Sequence, residues 1–405
     1  MSRVLNKASL FVKTTMDNAD KRKAELKSSL GDDTVNLVCV GDIMLARQVA
    51  ILLKRYGYEY PFLKTGHVLQ NADIAFGNLE SPFTLRGNPM PNYDPNVTFR
   101  ADPEGCKALA KVGFKVLSIA NNHINDYGAV GLKDTIANLD DEGIKAVGAG
   151  ENATVARAPA ILECKGIKVG FLAYTQLQGR AILPASRMNP GVAQFRIDHC
   201  KQDIKRLRDK ADVIVLSVHW GYEYCPYPSS YHQRVARELI GEGCDLILGH
   251  HPHIVQGWER HDNGLIFYSL GNFIFDEPNP ETKKSVILEA KLNSTGVVFF
   301  NLIPAIDNGS CCPEITKGDE KVRMLKRIQE LTDEYRREDW VNNFDRDPTD
   351  KMLWNAMKRT LMRGCFPIFR NFPFSVWMHR GFPLLQHKFA GHVLKSASRI
   401  ETAES

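Results

Sequence analysis

The feature that most constrains this chain is a repeated pattern in which an apolar run ends in polar residues. Five runs show it: residues 35–40, 72–76, 115–119, 213–218 and 244–248. The polar groups that follow them contain Asp42, then Asn78 and Glu80, then Asn122 and His123, then His219, and last His250, His251 and His253. Ligands collect at the carboxyl ends of strands in open α/β sheets, because loops converge there on a rigid support. The pattern therefore predicts a functional site at such an edge.

The stretches between these runs favour an α/β fold. Residues 102–112, 132–141, 201–210 and 231–241 have the amphipathic spacing of helices. Residues 160–164 and 167–174, joined by Lys165-Gly166, have the alternation and turn of a hairpin. Strands that alternate with helices indicate sheets covered by helical layers.

The residue types at the strand ends suit a transition-metal centre. Carboxylates, carboxamides and imidazoles together bind zinc, manganese or iron, whereas calcium and magnesium sites use oxygen donors. Any one of these residues alone is more often a helix cap or a paired core group, and residues 250–253 also fit an exposed polar turn. Five polar strand ends in one domain favour the metal centre.

Six short motifs carry a resemblance to a known family. They are Gly41-Asp42-Ile43-Met44, Gly77-Asn78-Leu79-Glu80-Ser81, Asn121-Asn122-His123, His219-Trp220-Gly221, residues 249–253, and Tyr268-Ser269-Leu270-Gly271-Asn272-Phe273. In order and spacing they resemble the signature of the CapA family, which is tied to poly-γ-glutamate capsule synthesis, over about residues 35–276. The resemblance implies an α/β fold of the calcineurin-like metallophosphatase kind, a four-layer sandwich with two central mixed sheets flanked by helices.

The resemblance also implies roles for individual residues. It implies one or two divalent ions (Mn, Zn or Fe), with His123 as the general acid that protonates the leaving-group oxygen. The metal ligands that it implies are Asp42, Asn122, His219, His251 and His253, with Glu80 as the carboxylate that bridges two ions. His250 is an alternative to His251. Arg47, Arg100 and Tyr222 are candidates for orienting an anionic substrate, although each also fits an ordinary surface position.

Two positions depart from the metallophosphatase pattern. Met44 stands where the first motif has a histidine, and Asn78 with Glu80 stand where the second motif has two aspartates. The centre is therefore expected to hold two ions with one bound more weakly, a single ion, or none tightly. Two other functions stay open: a soluble metal-dependent phosphoesterase of a small phosphorylated substrate, and a non-catalytic scaffold subunit of a polymer synthesis or export complex.

Absent motifs limit the chemistry and the partners. The sequence has no G-x-x-x-x-G-K-[ST] phosphate loop and no G-x-S-x-G, so neither ATP-driven ligation nor serine hydrolysis is expected. If the chain serves polymer synthesis, an ATP-dependent ligase must be a separate partner, beside export subunits. No DNA- or RNA-binding motif is present, so nucleic acid is not an expected partner.

We divide the chain into a polar N-terminal arm (residues 1–34), a CapA-type metallophosphatase-like domain (35–310) and a C-terminal extension (311–405). Residues 317–338 are predicted to form a charged, solvent-facing helix. Residues 351–400 contain no Asp or Glu but many aromatic and basic residues. That composition suits an anionic membrane surface, but it also suits aromatic rings that pack on the core.

The expected location is the cytoplasm, with peripheral attachment at the inner face of the membrane as a further expectation. No apolar stretch reaches the roughly 18–20 residues of a membrane span, and no signal-peptide core precedes the domain. The nine cysteines include no C-x-x-C pair, which favours a reducing compartment over a disulfide framework.

Overall fold

The computed structural model describes residues 33–91, 97–177 and 183–336. Within them the strands, in chain order, are Val35–Ile43 (β1), Ile74–Leu79 (β2), Phe114–Ser118 (β3), Lys145–Val147 (β4), Ala149–Gly150 (β5), Ala160–Cys164 (β6), Ile167–Thr175 (β7), Gly191–Val192 (β8), Val213–His219 (β9), Leu246–His250 (β10), Trp258–His261 (β11), Gly264–Phe267 (β12), Asn272–Ile274 (β13), Lys284–Asn293 (β14), Gly296–Ile306 (β15) and Glu314–Ile315 (β16). The α-helices of the same residues are Arg47–Tyr56 (α1), Gly66–Gln70 (α2), Glu104–Lys111 (α3), Gly128–Asp141 (α4), Ala153–Ala156 (α5), Ile197–Arg208 (α6), Ser230–Gly241 (α7) and Gly318–Tyr335 (α8).

The strands form two large mixed sheets. The first has the order β16-β15-β14-β1-β2-β3-β4, with β13 also paired with β1, and the second has the order β11-β12-β10-β9-β7-β6. In the first sheet β1 to β4 are parallel, and β14 to β16 are antiparallel additions. In the second sheet β7, β9, β10 and β12 are parallel, with antiparallel β6 and β11 at the edges.

The two sheets face each other across a shared core. Because successive side chains of a strand point to opposite faces, β1 contributes Leu37 to the core between the sheets and Val38 to the core on the other face. Phe76 of β2 stacks on Phe171 of β7 with ring centroids 5.5 Å apart. Truncating such a buried ring to alanine typically costs about 3–5 kcal/mol. This inter-sheet core fixes the position of one set of strand ends relative to the other.

Helices cover the outer faces. On the first sheet, Val49 of α1, Leu109 of α3 and Leu132 of α4 lie in the same apolar cluster as Val38. On the second sheet, α6 packs so closely that a Cβ on Gly170 would lie 2.8 Å from Leu207. The layers are therefore helices, sheet, sheet and helices, which confirms the predicted four-layer α/β sandwich.

The compact part of the chain continues past residue 310. Strand β16 pairs with β15, and Thr332 of α8 accepts a hydrogen bond from the backbone N–H of Trp258 at 3.1 Å. Helix α8 also buries Ile328 and Leu331. It thus has a buried apolar face as well as its predicted charged face, because Ile328 and Leu331 lie three residues apart and share one side of the helix.

The remaining predictions for the termini lie outside the described residues. They concern the N-terminal arm up to residue 32 and the aromatic, basic segment after residue 336. Among the residues that the structure covers, no helix is both long enough and apolar enough to cross a bilayer.

Candidate metal centre

The polar strand ends of the two sheets meet at one place. β1 and β2 bring Asp42 and, just past the strand, Glu80, while the second sheet brings His219 at the end of β9 and His251 and His253 just after β10. We call these five residues the metal cluster; all are buried. The parallel register sets neighbours side by side, because Asp42 pairs with Asn78 of β2 and with Asn272 of β13.

Two glycines allow the backbones at the centre to approach closely. A Cβ on Gly41, just before Asp42, would lie 1.8 Å from the carbonyl oxygen of Gly271. A Cβ on Gly249, just before His250, would lie equally close, at 1.8 Å, to the carbonyl oxygen of Tyr268. Only glycine fits either position, which explains the Gly-Asp and Gly-His sequences at these two strand ends.

Asp42 is held by several donors. Its Oδ1 accepts a hydrogen bond from Asn78 Nδ2 at 2.9 Å and lies 3.0 Å from His250 Nδ1, while its Oδ2 accepts from the backbone N–H of His251 at 3.2 Å. Burial by itself raises the pKa of this carboxyl. The hydrogen bond and charge of His250, the charge of His253 and the Asn78 amide outweigh burial and leave the pKa below its ordinary value. Asp42 is therefore an ionised, firmly oriented carboxylate.

Glu80 has the opposite surroundings. Its side chain is fully buried, and neither carboxylate oxygen has a hydrogen-bond partner within the described part of the chain. Oε1 lies 3.8 Å from His219 Nε2 and 3.9 Å from His253 Nε2. Burial, and then the charge of Asp42, raise the pKa of this carboxyl well above its ordinary value. A charged group of this kind is costly to bury unless a cation or donors compensate it.

His219 joins the two sheets by hydrogen bonds. Its Nε2 lies 2.8 Å from Asn122 Oδ1, and its Nδ1 lies 3.3 Å from Asn78 Nδ2. Burial lowers the pKa of His219 well below its ordinary value, and burial lowers that of His251 to about 4. Both imidazoles are neutral at pH 7, which is the form that binds metal ions.

The loop after β10 has unusual backbone angles. His251 and His253 have φ values of +96° and +60°, in the region that residues with a side chain rarely adopt. The backbone N–H of His251 donates to Asp42, and His253 Nδ1 lies 2.9 Å from Asn272 Oδ1, so contacts on both sides hold the loop. Strain of this kind, on the order of 1–3 kcal/mol per residue, is typical of functional sites.

Among the described residues, three overlapping groups bring possible ligand atoms within 4.8 Å of one another. Glu80 belongs to two of them, as a bridging carboxylate would. The groups are Glu80 with His219 and His251, Asp42 with Glu80 and His253, and Glu223 with His251 and His253. Buried atoms that lack a hydrogen-bond partner in this part of the chain include both Glu80 oxygens and His251 Nδ1. Such atoms fit a divalent cation, because a positive charge would satisfy carboxylate and imidazole together.

His123 lies beside the metal cluster in a pair that the sequence did not predict. Its Nδ1 is 2.9 Å from Asp126 Oδ2, and its ring stacks on Phe99 with centroids 3.9 Å apart. Asp126 is fully buried and also accepts the backbone N–H of Phe99 at 2.7 Å. Burial raises the pKa of Asp126, and the bond to His123 opposes that rise. The pair holds the His123 ring in one orientation, with Nδ1 committed to Asp126.

The three candidate substrate residues differ in their placement. Arg47 forms an ion pair with Asp276 and lies 4.8 Å above the ring of Phe99. The ring of Phe99 stacks in turn on His123, so Arg47 lies near the cluster. Arg100 lies over the ring of Tyr127 at 4.8 Å, and Tyr222 is exposed in the loop after β9.

Met44 of the first motif and His250 of the fifth belong to none of the groups of possible ligands among the described residues. Met44 is buried in the apolar core, and its sulfur lies 3.1 Å from the backbone N of Ala46. His250 faces Asp42 Oδ1 and belongs to none of the three groups found in the described residues.

Sequence reasoning missed Glu223 and Asp126, and it included Asn272 in the last motif without giving it a role. Glu223 follows His219 by four residues in the loop after β9, and Asp126 follows His123 by three. Their nearness to predicted site residues is a signal, but nothing in the spacing shows which way a loop side chain points.

Comparison with known proteins finds relatives that are described as capsule or PGA synthesis proteins. Residues 36–277 match the family described as bacterial capsule synthesis protein PGA_cap. The capsule biosynthesis protein CapA of Bacillus anthracis is 34% identical over 309 residues, which are 74% of this chain and 74% of that protein. The PGA biosynthesis protein CapA of Bacillus subtilis (strain 168) is 31% identical over 339 residues, 82% of this chain and 88% of that protein. A solved structure of a putative 5'-nucleotidase from Staphylococcus aureus aligns with a TM-score of 0.43 at 16% identity, over 73% of this chain and 58% of that chain.

Proposed function

This chain belongs to the PGA_cap family of bacterial capsule synthesis proteins, and on that premise we propose that it acts in poly-γ-glutamate capsule synthesis through a metal-dependent, phosphatase-like site. The observation that carries the second half of the proposal is the buried Glu80 carboxylate. It lies under 4 Å from two imidazoles with neither oxygen hydrogen-bonded in the described residues. A buried carboxylate of this kind needs a compensating donor or cation, and a bound metal ion supplies one.

The residues proposed to hold the metal are the metal cluster and Asn122, whose Oδ1 reaches His219. One or two divalent ions fit, because Glu80 is shared between two groups of possible ligands. Mixed nitrogen and oxygen donors favour manganese, zinc or iron. The chemistry that a bound ion of this kind supplies is polarisation of a phosphoryl-type oxygen and acidification of water.

The chain's own residues account for the rest of the proposed chemistry. His123 protonates the leaving-group oxygen, and Asp126 holds its ring so that Nδ1 stays occupied and Nε2 is left for the substrate. Arg47, anchored by Asp276, orients an anionic substrate at the edge of the cluster. Arg100 and Tyr222 are proposed to contact the substrate farther out.

The proposal extends to partners and location. Without a phosphate-binding loop for ATP, the chain works beside a separate ATP-dependent ligase and export subunits. We place it in the cytoplasm, with its aromatic, basic C-terminal segment on the anionic inner face of the membrane. Sedimentation with anionic vesicles, compared between the full chain and a chain that ends at residue 350, tests this. Equal sedimentation of the two at low salt would contradict it.

The metal-dependent role is tested by a double variant, Asp42→Ala with His253→Ala. Elemental analysis of the purified protein should show metal in the wild type and a loss of most of it in the variant. In the bacterium that carries this gene, a deletion strain should regain capsular poly-γ-glutamate from the wild-type chain and not from the variant.

A matched control replaces the same residue types on the surface, Asp141→Ala with His261→Ala, since both side chains are partly or fully exposed. The control should behave as the wild type. Equal metal content in all three proteins would contradict the metal centre, and polymer production by the deletion strain would contradict the role in synthesis.

A further inference from the structure

The loop after β9 places a second carboxylate at the metal cluster. Glu223 is exposed, whereas Glu80 is buried, so the two carboxylates approach the histidines from the solvent side and from the interior. Glu223, His251 and His253 each offer a ligand atom, and these atoms lie within 4.8 Å of one another. Donor atoms bound to one zinc-like ion, each at about 2.0–2.2 Å, lie roughly 3–4 Å apart, so a small side-chain movement would bring all three onto one ion.

The two histidines have donor atoms that point to a ligand. Only 6% of the surface of His251 is exposed, and its Nδ1 has no hydrogen-bond partner among the described residues. His253 Nδ1 is used by Asn272, which leaves Nε2 as its donor toward the cluster. A buried imidazole nitrogen without a partner is costly unless a cation or a donor reaches it.

The other possible ligands around His253 are Asp42 and Glu80, and both are buried, so neither lies on the solvent side of the cluster. Both Asp42 oxygens are already engaged by Asn78, His250 and the backbone of His251. Met44, two residues after Asp42, is buried in the apolar core. An additional carboxylate would raise both the number of ligands and the negative charge available to an ion at His253.

We infer that Glu223 is a metal ligand of this chain, which binds a divalent ion together with His251 and His253 on the solvent side of the centre. The inference rests on the proposed function, because it requires that the cluster hold metal at all. The loop after β9 would then supply a ligand of its own, in addition to His219 at the end of the strand. It also makes the ion at this position the more exchangeable one, because its carboxylate ligand lies in solvent.

The test is a titration of metal-free full-length protein with Mn²⁺, followed by calorimetry, for the wild type and Glu223→Gln. Glutamine keeps the size of the side chain but removes its charge. We expect one binding step to weaken by at least about tenfold, which is the lower end of the effect of disturbing a metal site. With Co²⁺ in place of Mn²⁺, the visible absorption bands of the variant should also change, because they report the ligand set directly.

The matched control is Glu277→Gln, since Glu277 lies at the same rim and accepts a hydrogen bond from Tyr224 at 3.3 Å, but belongs to none of the three groups in the described chain. It should bind Mn²⁺ within about twofold of the wild type, and thermal unfolding of all three metal-free proteins should coincide. If the wild type binds Mn²⁺ and Glu223→Gln binds it equally with unchanged Co²⁺ bands, this inference alone is overturned. If the wild type binds no metal, the proposed function falls with it.

Discussion

The metal cluster and the buried group around Asp203 are both polar and both enclosed, but they differ in how their atoms are satisfied. Asp203 of α6 accepts hydrogen bonds from Arg157 at 2.7 and 2.9 Å and from Tyr174 at 2.6 Å. We call Arg157, Tyr174 and Asp203 the paired cluster. In the metal cluster, Glu80 has no such donor among the described residues.

The difference separates a group whose charges are paired from one whose charge is left without a donor. A bidentate arginine compensates the buried charge of Asp203, so the paired cluster is complete without any ligand. Glu80 is buried at least as deeply and has only distant imidazoles, so a bound cation, as proposed above, would compensate its charge. A buried charge that is already paired therefore needs no ligand, whereas an unpaired one makes its surroundings a candidate site.

The largest effect should come from replacing His123. This substitution tests whether the metal cluster and the residues beside it take part in a reaction. Replacing His123 with asparagine should lower turnover of a chromogenic phosphoester by roughly 10²–10⁴, because the general acid is lost. Metal content should stay near that of the wild type, because Nδ1 of His123 is bonded to Asp126 and not to the metal cluster.

The control for this prediction is His261→Asn, which makes the same change on a partly exposed histidine at the end of β11. It should leave both turnover and metal content unchanged. Loss of metal together with activity in His123→Asn would make His123 a ligand, and the assigned role would then be wrong.

The second prediction breaks the paired cluster. Asp203→Ala should lower the free energy of unfolding by about 3–4 kcal/mol, because it leaves a largely buried guanidinium without its carboxylate. The expected loss lies below the upper end of the range for broken buried ion pairs, because the Arg157 side chain is 22% exposed. Urea unfolding measures it, with the exposed neighbour Asp209→Ala as the control. A loss under 1 kcal/mol would show that the paired cluster is not structural.

The sequence predicted the fold and the family because both depend on strong local signals. Buried parallel strands appear as continuous apolar runs, and the motifs at their ends have fixed order and spacing. The four-layer α/β sandwich and the family are confirmed. Asp42 and Glu80 each follow an apolar run of the predicted sheet. They lie at one edge of the sheet because β1 and β2 are parallel neighbours.

Other features could not be predicted because they depend on tertiary packing. The meeting of the two sheets brings His219 and His253 to Glu80, and no local pattern contains that distance. Glu223 and Asp126 lie on loops, where side-chain direction follows backbone turns rather than a period. The buried face of α8 is hidden among many charges, so its sequence appeared solvent-facing until its packing was known.

The third prediction concerns how the stability of metal-free protein depends on pH through His251 of the metal cluster. Burial lowers the pKa of His251 to about 4, against an ordinary value of 6.5. The unfolded chain then takes up a proton before the folded chain does, so stability is lost as the pH falls from 6.5 to 4. The loss should be on the order of 2–3 kcal/mol and should be reduced in His251→Gln. Unfolding by urea between pH 4 and 7 measures it, with His261→Gln as the control; parallel pH profiles for wild type and His251→Gln would contradict it.

The smallest effect, and the sharpest contrast with Asp203, is expected at Glu80. Burial raises the pKa of Glu80 well above 4.5, so in metal-free protein its ionisation destabilises the fold, and stability is lost as the pH rises through the folded-state pKa. Glu80→Gln should therefore stabilise metal-free protein by about 1–2 kcal/mol at pH 8, with a gap that closes as the pH falls toward 4.5.

Saturating Mn²⁺ should reverse the sign of the Glu80 effect. A bound ion would stabilise the folded wild-type protein in proportion to the logarithm of its concentration over its dissociation constant, whereas Glu80→Gln would lack the carboxylate proposed to hold the ion. Melting temperatures with a chelator and with Mn²⁺ measure both states, and the exposed Glu163→Gln should shift in neither. A Glu80→Gln variant that is less stable than the wild type in both states would place Glu80 with Asp203, as a structural carboxylate, and would remove the contrast between the two clusters.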